Sequence, residues 1–265
     1  MQNPPTPPIR FDNGATYERY MGVWSQLAGD TFLDWLAPKN GLRWLDVGCG
    51  NGAFTELLAN RCAPAAIEGI DPAEGQLVFA RARPVARLAR FSQGDAMALP
   101  FKDDTFDAAV MPLVIFFVPE PARGVAEMAR VVGPGGLVTA YSWDMGGGGF
   151  PYERLHAEMR AMGLIVPVPP SADASRLEVL RDLWTDAGLQ AVATHVITVQ
   201  RTFAGFDDYW TTVLGAPSAG ATLAKMTPAD LALLQARMRE LLPADATGRI
   251  TYSARAHAVK GSVPR

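Results

Sequence analysis

A short apolar strand that ends in an acid and three closely spaced glycines constrains this chain more than any other feature. Residues 44–53 read W-L-D-V-G-C-G-N-G-A, in which Asp46 is followed by Gly48, Gly50 and Gly52. Glycines let the backbone turn sharply and approach a ligand closely, and the N–H groups of a helix that begins just after them can face that ligand. The run therefore predicts a strand, a nucleotide-binding loop and a helix.

The same glycines also satisfy a dinucleotide-binding pattern. Gly48, Gly50 and Ala53 match its glycine-rich turn, and Asp71 stands at the position of the acid that binds a ribose. Asp46 argues against this interpretation, because an apolar residue is more common at its position and a carboxylate there would repel a pyrophosphate. A nicotinamide-dependent oxidoreductase is the less favoured alternative.

Four further blocks follow the glycine run along the chain. They are G-I-D-P at 69–72, G-D-A-M-A-L-P-F at 94–101, F-D-A-A-V at 106–110 and R-V-V-G-P-G-G-L-V at 130–138. Together with D-V-G-C-G-N-G at 46–52, they make this part of the chain resemble the class I S-adenosylmethionine-dependent methyltransferases. Within that class, the blocks are similar to the broad small-molecule group of the ubiquinone/menaquinone-biosynthesis type.

The resemblance implies an α/β fold, namely a Rossmann-like three-layer sandwich. Its mostly parallel sheet would have seven strands, with the last strand antiparallel and inserted between the fifth and sixth, and a helical cap would cover the carboxyl ends of the strands. We expect residues 1–14 to form a flexible arm and 15–265 a single methyltransferase domain. Its core would comprise about 38–145, 175–203 and 248–261, and its cap helices about 15–37, 150–165 and 206–242.

The resemblance also implies S-adenosylmethionine as cofactor and S-adenosylhomocysteine as product. Asp46 would accept a hydrogen bond from the methionyl ammonium, directly or through water, and Asp71 would accept from both ribose hydroxyls. Asp95 would hold the adenine amine. The predicted cofactor-binding residues are Tyr17, Tyr20, Trp24, Asp46, Gly48, Cys49, Gly50, Asn51, Asp71, Pro72, Gln76, Gly94, Asp95, Ala96, Met97, Met111 and Pro112.

Each of these assignments has a structural alternative. Glycines before a helix can form only a tight turn, and an aspartate at a strand end can serve only as a helix N-cap. Cys49 and Met97 fit an apolar core as well as a site. Tyr17, Tyr20 and Trp24 share one face of the predicted helix 15–37, where they either close the cofactor pocket or cover the sheet edge.

Strand and helix patterns alternate along the rest of the chain. We predict strands near 42–47, 65–71, 90–94, 106–111, 136–143, 191–202 and 249–259, with a sharp turn at 133–136 before the fifth. The four glycines at 146–149 predict a hinge or mobile loop at the mouth of the site, or a flexible linker.

Composition limits the partners. A net charge of −3 lacks the basic face of a nucleic-acid-binding protein, and the arginines between 81 and 90 fit a solvated surface. Two cysteines and three scattered histidines predict neither a disulfide framework nor a metal site. No apolar run approaches the ~20 residues of a membrane span. We expect a cytoplasmic protein, monomeric or homodimeric.

The implied reaction is methyl transfer to a small acceptor. Phe116, Phe117, Trp143, Phe150, Phe206 and Trp210 would give the mouth an apolar lining that suits an apolar or aromatic molecule. No catalytic residue is assigned; Tyr152, Glu153 and His156 in the cap are the candidate bases, although each is expected at the surface. A non-catalytic S-adenosylmethionine-binding protein is the other alternative.

Overall fold

A computed structural model describes residues 18–215 and 219–265. These residues contain one seven-stranded sheet in the order β3-β2-β1-β4-β5-β7-β6. The pairs from β3 to β5 are parallel, and β7 runs antiparallel to both β5 and β6. The strands are β1 (Arg43–Val47), β2 (Ala66–Asp71), β3 (Ala89–Gln93), β4 (Phe106–Pro112), β5 (Val132–Trp143), β6 (Gln190–Phe203) and β7 (Ile250–Ser262).

Helices alternate with the strands. In the described ranges the α-helices are α1 (Val23–Leu36), α2 (Ala53–Cys62), α3 (Glu74–Ala82), α4 (Pro121–Val131), α5 (Glu153–Ala161), α6 (Leu177–Asp186), α7 (Phe206–Leu214), α8 (Gly220–Leu223) and α9 (Pro228–Leu241). A π-helical turn, Glu18–Gly22, leads into α1. No helix in this part of the chain combines the length and the apolar character needed to cross a membrane.

Two hydrophobic clusters cover the two faces of the sheet. On one face, α1 and α2 contribute buried residues that include Phe32 and Leu58. On the other face, α4 and α6 contribute Met128 and Trp184, and the indole Nε1 of Trp184 donates to the carbonyl of Val138 on β5 (2.9 Å). A sheet with helices on both faces is a three-layer sandwich, so the predicted Rossmann-like α/β fold with its antiparallel seventh strand is confirmed.

The fifth strand begins four residues earlier than predicted. Val132 already pairs with Phe106, and regular pairing resumes between Leu137 and Ala108. The Gly-Pro-Gly-Gly segment 133–136 therefore forms an irregularity within β5 rather than a turn before it. Gly135, with φ +75°, supplies the backbone conformation that this irregularity needs.

An aromatic cluster joins the cap helices to the sheet. Its members stack or meet edge to edge, as in the pair Tyr20–Tyr152, whose ring centroids lie 4.0 Å apart. The Tyr152 hydroxyl donates to the Tyr20 carbonyl (2.6 Å), which also accepts from Arg201 on β6 (3.1 Å). The cluster comprises Tyr20, Trp24, Tyr152, Phe203, Tyr209 and Tyr252.

The glycine run after β5 is a tight turn that closes on Asp144. The Gly147 N–H donates to the Asp144 carboxylate (2.7 Å), and Arg255 on β7 donates to the same carboxylate (2.6 Å). A Cβ at Gly147 would clash with that carboxylate, and one at Gly149 would lie 2.6 Å from the Arg255 carbonyl. Close packing therefore accounts for these two glycines, in place of the hinge that the sequence predicts.

Candidate functional site

A cavity of about 410 Å³ lies at the carboxyl ends of β1, β2 and β4. Ligands of open α/β sheets bind at this edge. The cavity is lined by Gly22, Ser25, Gln26, Gly48, Cys49, Gly50, Asn51, Ala53, Phe54, Glu56, Leu57, Asn60, Asp71, Pro72, Ala73, Gln76, Arg83, Pro112, Leu113, Val114, Phe117 and Tyr141. It is the natural candidate for the functional site.

The glycine loop, residues 48–52, forms the floor of this cavity. Gly48, Gly50 and Gly52 have φ values of +75°, +52° and +80°, which disfavour residues with a side chain. At Gly48 a Cβ would also lie only 2.5 Å from a methyl carbon of Val114. The loop can take this path only with glycine at these positions, and its backbone is thereby open to a ligand.

Asp71, at the end of β2, is held beside the loop by two backbone groups. The Gly50 N–H donates to Oδ2 (2.9 Å), and the Ala73 N–H donates to Oδ1 (2.8 Å). Burial raises the pKa of Asp71, and these two hydrogen bonds oppose the rise. Because each oxygen of an ionised carboxylate can accept more than one hydrogen bond, Asp71 can still bind two ligand hydroxyls.

Asp46 lies beneath the loop and does not line the cavity. Its Oδ2 accepts a hydrogen bond from the Thr55 hydroxyl (2.6 Å), whereas its Oδ1 is buried without a hydrogen-bond partner. Burial raises the pKa of Asp46 to about 7; the bond from Thr55 opposes this, and the charge of Asp71 adds to it. Asp46 thus places a titratable carboxyl directly below the glycine loop.

Arg83 holds the far side of the loop. The charge pattern of the sequence predicts this arginine on a solvated surface. Arg83 Nε donates to the Asn51 carbonyl (2.7 Å), and its Nη1 donates to Glu56 on α2 (2.8 Å). Asn51 in turn accepts from the Ala53 N–H through its side chain (3.2 Å), at the start of α2. These contacts make Arg83 a clamp on the loop, a role that charge patterning along the sequence does not reveal.

The structure brings together about half of the predicted cofactor-binding residues. Those that line the cavity are Gly48, Cys49, Gly50, Asn51, Asp71, Pro72, Gln76 and Pro112. Those that lie elsewhere are Tyr20, Trp24, Asp46, Gly94, Asp95, Ala96, Met97 and Met111. Tyr17 lies outside the described residues.

Packing explains several of the residues found elsewhere. Tyr20 and Trp24 are buried in the aromatic cluster, and Met111 belongs to the core on the opposite face of the sheet. Asp95 is exposed and accepts from the Met97 N–H (2.8 Å), so its carboxylate stabilises a tight turn. Gly94 next to it donates its N–H to the Asp71 carbonyl (3.2 Å), which keeps this turn adjacent to the cavity residue.

Sequence reasoning missed one complete wall. Gly22, Ser25 and Gln26 reach the cavity from the beginning of α1, facing Leu57 and Asn60 of α2. Their spacing of three and four residues is a helical signal that could have identified them. The sequence instead predicts the aromatic face of the same helix at the pocket. Leu113, Val114 and Tyr141 were also missed, although they follow or flank the β4 end.

The candidate bases in the cap do not line the cavity. The Tyr152 hydroxyl donates a hydrogen bond to the Tyr20 carbonyl, and burial raises the pKa of Tyr152. His156 is buried against Phe150, and burial lowers its pKa to about 4. Of the six aromatics predicted at the mouth, only Phe117 belongs to the lining.

The glycine loop after β1, the acid that ends β2 and the antiparallel seventh strand together define the class I S-adenosylmethionine-dependent methyltransferase fold. Residues 45–140 match a family described as a methyltransferase domain. This segment is less than half of the chain, and over it the chain is similar to that family.

Curated relatives are similar to part of the chain. Ubiquinone/menaquinone biosynthesis C-methyltransferase UbiE of Paracoccus denitrificans is 40% identical over 109 residues, which cover 39% of this chain and 43% of that protein. The chain thus spans about half the length, or less, of the curated relatives it matches.

Solved structures share the fold. A protein from Bacillus halodurans has a TM-score of 0.60 at 17% sequence identity. The match covers 89% of this chain and 99% of that protein. Phosphoethanolamine N-methyltransferase 2 of Haemonchus contortus, solved with S-adenosyl-L-methionine, has a TM-score of 0.58 at 17% sequence identity. The match covers 95% of this chain and 56% of that protein.

The residues at the cavity fit S-adenosylmethionine. Asp71 offers acceptor positions for ribose hydroxyls, and the loop Gly48–Asn51 leaves backbone exposed where a Cβ would intrude. Two buried polar atoms without partners, Asp46 Oδ1 and Ser25 Oγ, lie below the loop and at the cavity wall respectively. The dinucleotide interpretation is not favoured, because the family match and the fold neighbours are methyltransferases.

Proposed function

We propose that this protein is an S-adenosylmethionine-dependent methyltransferase that acts on a small, apolar or aromatic acceptor. The observation that carries the proposal is the Asp71 carboxylate, oriented by the Gly50 and Ala73 N–H groups at the edge of the cavity beside the glycine loop. Orientation before binding reduces the ordering cost when the ribose hydroxyls arrive.

The chain's own residues bind and orient in this proposal. Asp71 accepts from the ribose hydroxyls, and the backbone of the glycine loop supports the methionyl group. Asp46 in its ionised form would favour the methionyl ammonium by its charge, and Asp95 remains the predicted adenine contact, with the Ala96 N–H as the backbone donor because the Met97 N–H is bonded to Asp95. When bound, the cofactor supplies a methyl group activated on a sulfonium, so the protein has no need of a covalent intermediate.

The acceptor side of the cavity is apolar. Leu113, Val114 and Phe117 line it from the segment after β4, and Tyr141 adds an aromatic surface from β5. Neither histidine nor lysine lines the cavity within the described residues. We infer that these residues orient the acceptor and exclude water, rather than remove its proton.

The name of the Paracoccus denitrificans relative supports a ring-shaped acceptor, since that protein is described as a C-methyltransferase of ubiquinone and menaquinone biosynthesis. The net charge of −3 supports a small molecule over a nucleic acid. We also propose a cytoplasmic location and a monomeric or homodimeric state.

A labelled-methyl transfer screen tests the proposal. The purified full chain is incubated with S-adenosylmethionine that carries an isotopic methyl group and with two acceptor sets, lipophilic phenols and hydroquinones against highly charged polar molecules. We expect labelled product from the first set only. Turnover confined to the charged set would overturn the acceptor class, whereas cofactor binding without product from either set would favour the non-catalytic alternative.

A further inference from the structure

The cavity ends where α1 packs onto α2 and β5. A Cβ at Gly29 would lie 2.8 Å from a methyl carbon of Leu57 and 3.2 Å from the Tyr141 hydroxyl, so no space remains between these elements at that level. Ser25 lies one helical turn earlier on the same face of α1 and lines the cavity. Its side chain is therefore at the inner end of the α1 wall.

The Ser25 hydroxyl is buried and has no hydrogen-bond partner. Several threonines in helices of this protein bond back to the carbonyl four residues earlier, as Thr31 does to Leu27 (3.0 Å) and Thr212 to Asp208 (2.8 Å). Among the buried polar atoms without partners in the described ranges, Ser25 Oγ is the only one whose residue lines the cavity. Since a buried hydroxyl without a partner is unfavourable, a ligand atom is the natural partner.

The groups around Ser25 indicate which ligand atom this is. Gln26, next to Ser25 on α1, and Asn60 on α2 also line the cavity, so neutral amide groups accompany the hydroxyl among its polar side chains. The one described cation in the lining, Arg83, is already bound to Glu56 and to the Asn51 carbonyl. A carboxylate at this end would thus meet neutral hydrogen-bond donors.

The cofactor has such a carboxylate at the correct end. If the ribose lies at Asp71 on β2 and the adenine lies towards Asp95 after β3, as proposed, the methionyl group would extend the other way, across the glycine loop to the wall that Ser25 lines. We infer that the Ser25 hydroxyl donates a hydrogen bond to the cofactor's methionyl carboxylate, so that neutral donors hold this carboxylate. The inference rests on the proposed function and assigns a binding residue that the glycine-loop motif does not contain.

Two ligands that differ at the methionyl group test the inference by calorimetry. S-adenosylhomocysteine carries the carboxylate, whereas 5′-methylthioadenosine has the same adenosine and thioether but no amino acid. Ser25→Ala should weaken S-adenosylhomocysteine binding about tenfold, as expected for a lost hydrogen bond to a charged group, and leave 5′-methylthioadenosine affinity unchanged. Ser25→Cys, which nearly keeps the volume but donates weakly, should show the same selective loss.

Ser142→Ala is the matched control, because Ser142 Oγ is also buried without a partner but its residue lies outside the lining. It should change neither affinity, and the thermal unfolding temperature of each ligand-free variant verifies folding. Equal losses for both ligands, or no loss for either, would overturn the role of Ser25. Failure of the unmodified protein to bind either ligand would instead contradict the proposed function.

Discussion

Polar groups are used in opposite ways in the glycine loop and in the aromatic cluster. Beside the loop, the Asp71 carboxylate takes two backbone hydrogen bonds and keeps acceptor positions at the cavity. In the aromatic cluster, the Tyr152 hydroxyl is committed to the Tyr20 carbonyl, and none of the six rings lines the cavity. The first region leaves polar groups open to the cavity, and the second joins the cap to the sheet.

Aromatic content alone does not mark the surface of the cavity in this chain. Tyr20 and Trp24 share a helical segment with Gly22 and Ser25, yet only the two small residues reach the cavity. Large rings bury more apolar area, so they are drawn into the core between α1, α5 and β7. Smaller residues, namely Gly22, Ser25 and Gln26, are left on the side of this segment that lines the cavity.

Among the substitutions near the glycine loop, we expect Asp46→Asn to have the largest effect, which is on the free energy of unfolding. Folding raises the pKa of Asp46 to about 7 from an ordinary value of 3.8, so the folded protein keeps a proton that the unfolded chain releases. Stability contributed by this group therefore falls as pH rises through that window. Asp46→Asn should increase the free energy of unfolding by roughly 4 kcal/mol at about pH 8, and by less than half as much at about pH 5.

Chemical denaturation of both proteins at the two pH values measures this difference. A stability gain that is independent of pH would show that Asp46 does not titrate in the folded protein between these values.

Asp71→Ala should come next in size. Loss of the acceptor for two ribose hydroxyls should weaken S-adenosylhomocysteine binding roughly 100-fold, since each hydrogen bond to a charged group contributes about 1.5 kcal/mol or more. Calorimetry gives the affinity, and circular dichroism verifies the fold. An affinity within a factor of about two of that of the unmodified protein would show that the ribose does not bind at Asp71.

Tyr152→Phe probes the aromatic cluster. It removes the hydroxyl that donates to Tyr20, and we expect the free energy of unfolding to fall by about 1 kcal/mol while cofactor affinity stays the same. Denaturant titration and calorimetry on one protein preparation separate the two effects. A large loss of affinity with little change in stability would give the cluster a binding role and erase the contrast between the regions.

Asp95→Ala should have the smallest effect. Its carboxylate is exposed and already accepts from the Met97 N–H, so a hydrogen bond to an adenine amine would be worth only about threefold in affinity. Measured beside Asp71→Ala, it defines where the site ends. A loss as large as that of Asp71→Ala would extend the binding site beyond the cavity to the β3 end.

The sequence predicted the sheet and the loop well, because both depend on local chemistry. Strands β1, β2, β4 and β6 begin and end within one residue of their predicted limits, and the positive φ values at Gly48 and Gly50 match the expected sharp turn. The blocks that carried the family resemblance lie in this same region, which is also where the methyltransferase domain family matches.

The rest depends on contacts between distant segments. Gly29 on α1 meets Leu57 on α2 only once the two helices have packed, and Arg83 reaches Asn51 across 32 residues of chain. Local pattern cannot decide which face of an amphipathic helix meets a ligand and which meets the core. The same reason explains why Phe117 lines the cavity while the neighbouring Phe116 is buried.

Calorimetric titration of the full chain with S-adenosylmethionine, S-adenosylhomocysteine, NAD and NADP tests the central claim most directly. The glycine loop with Asp71 predicts micromolar binding of the two adenosyl amino acids and no heat of binding from either nicotinamide. Nicotinamide binding without binding of the other pair would contradict the account, and it would overturn the roles given to Asp46, Asp71 and Ser25.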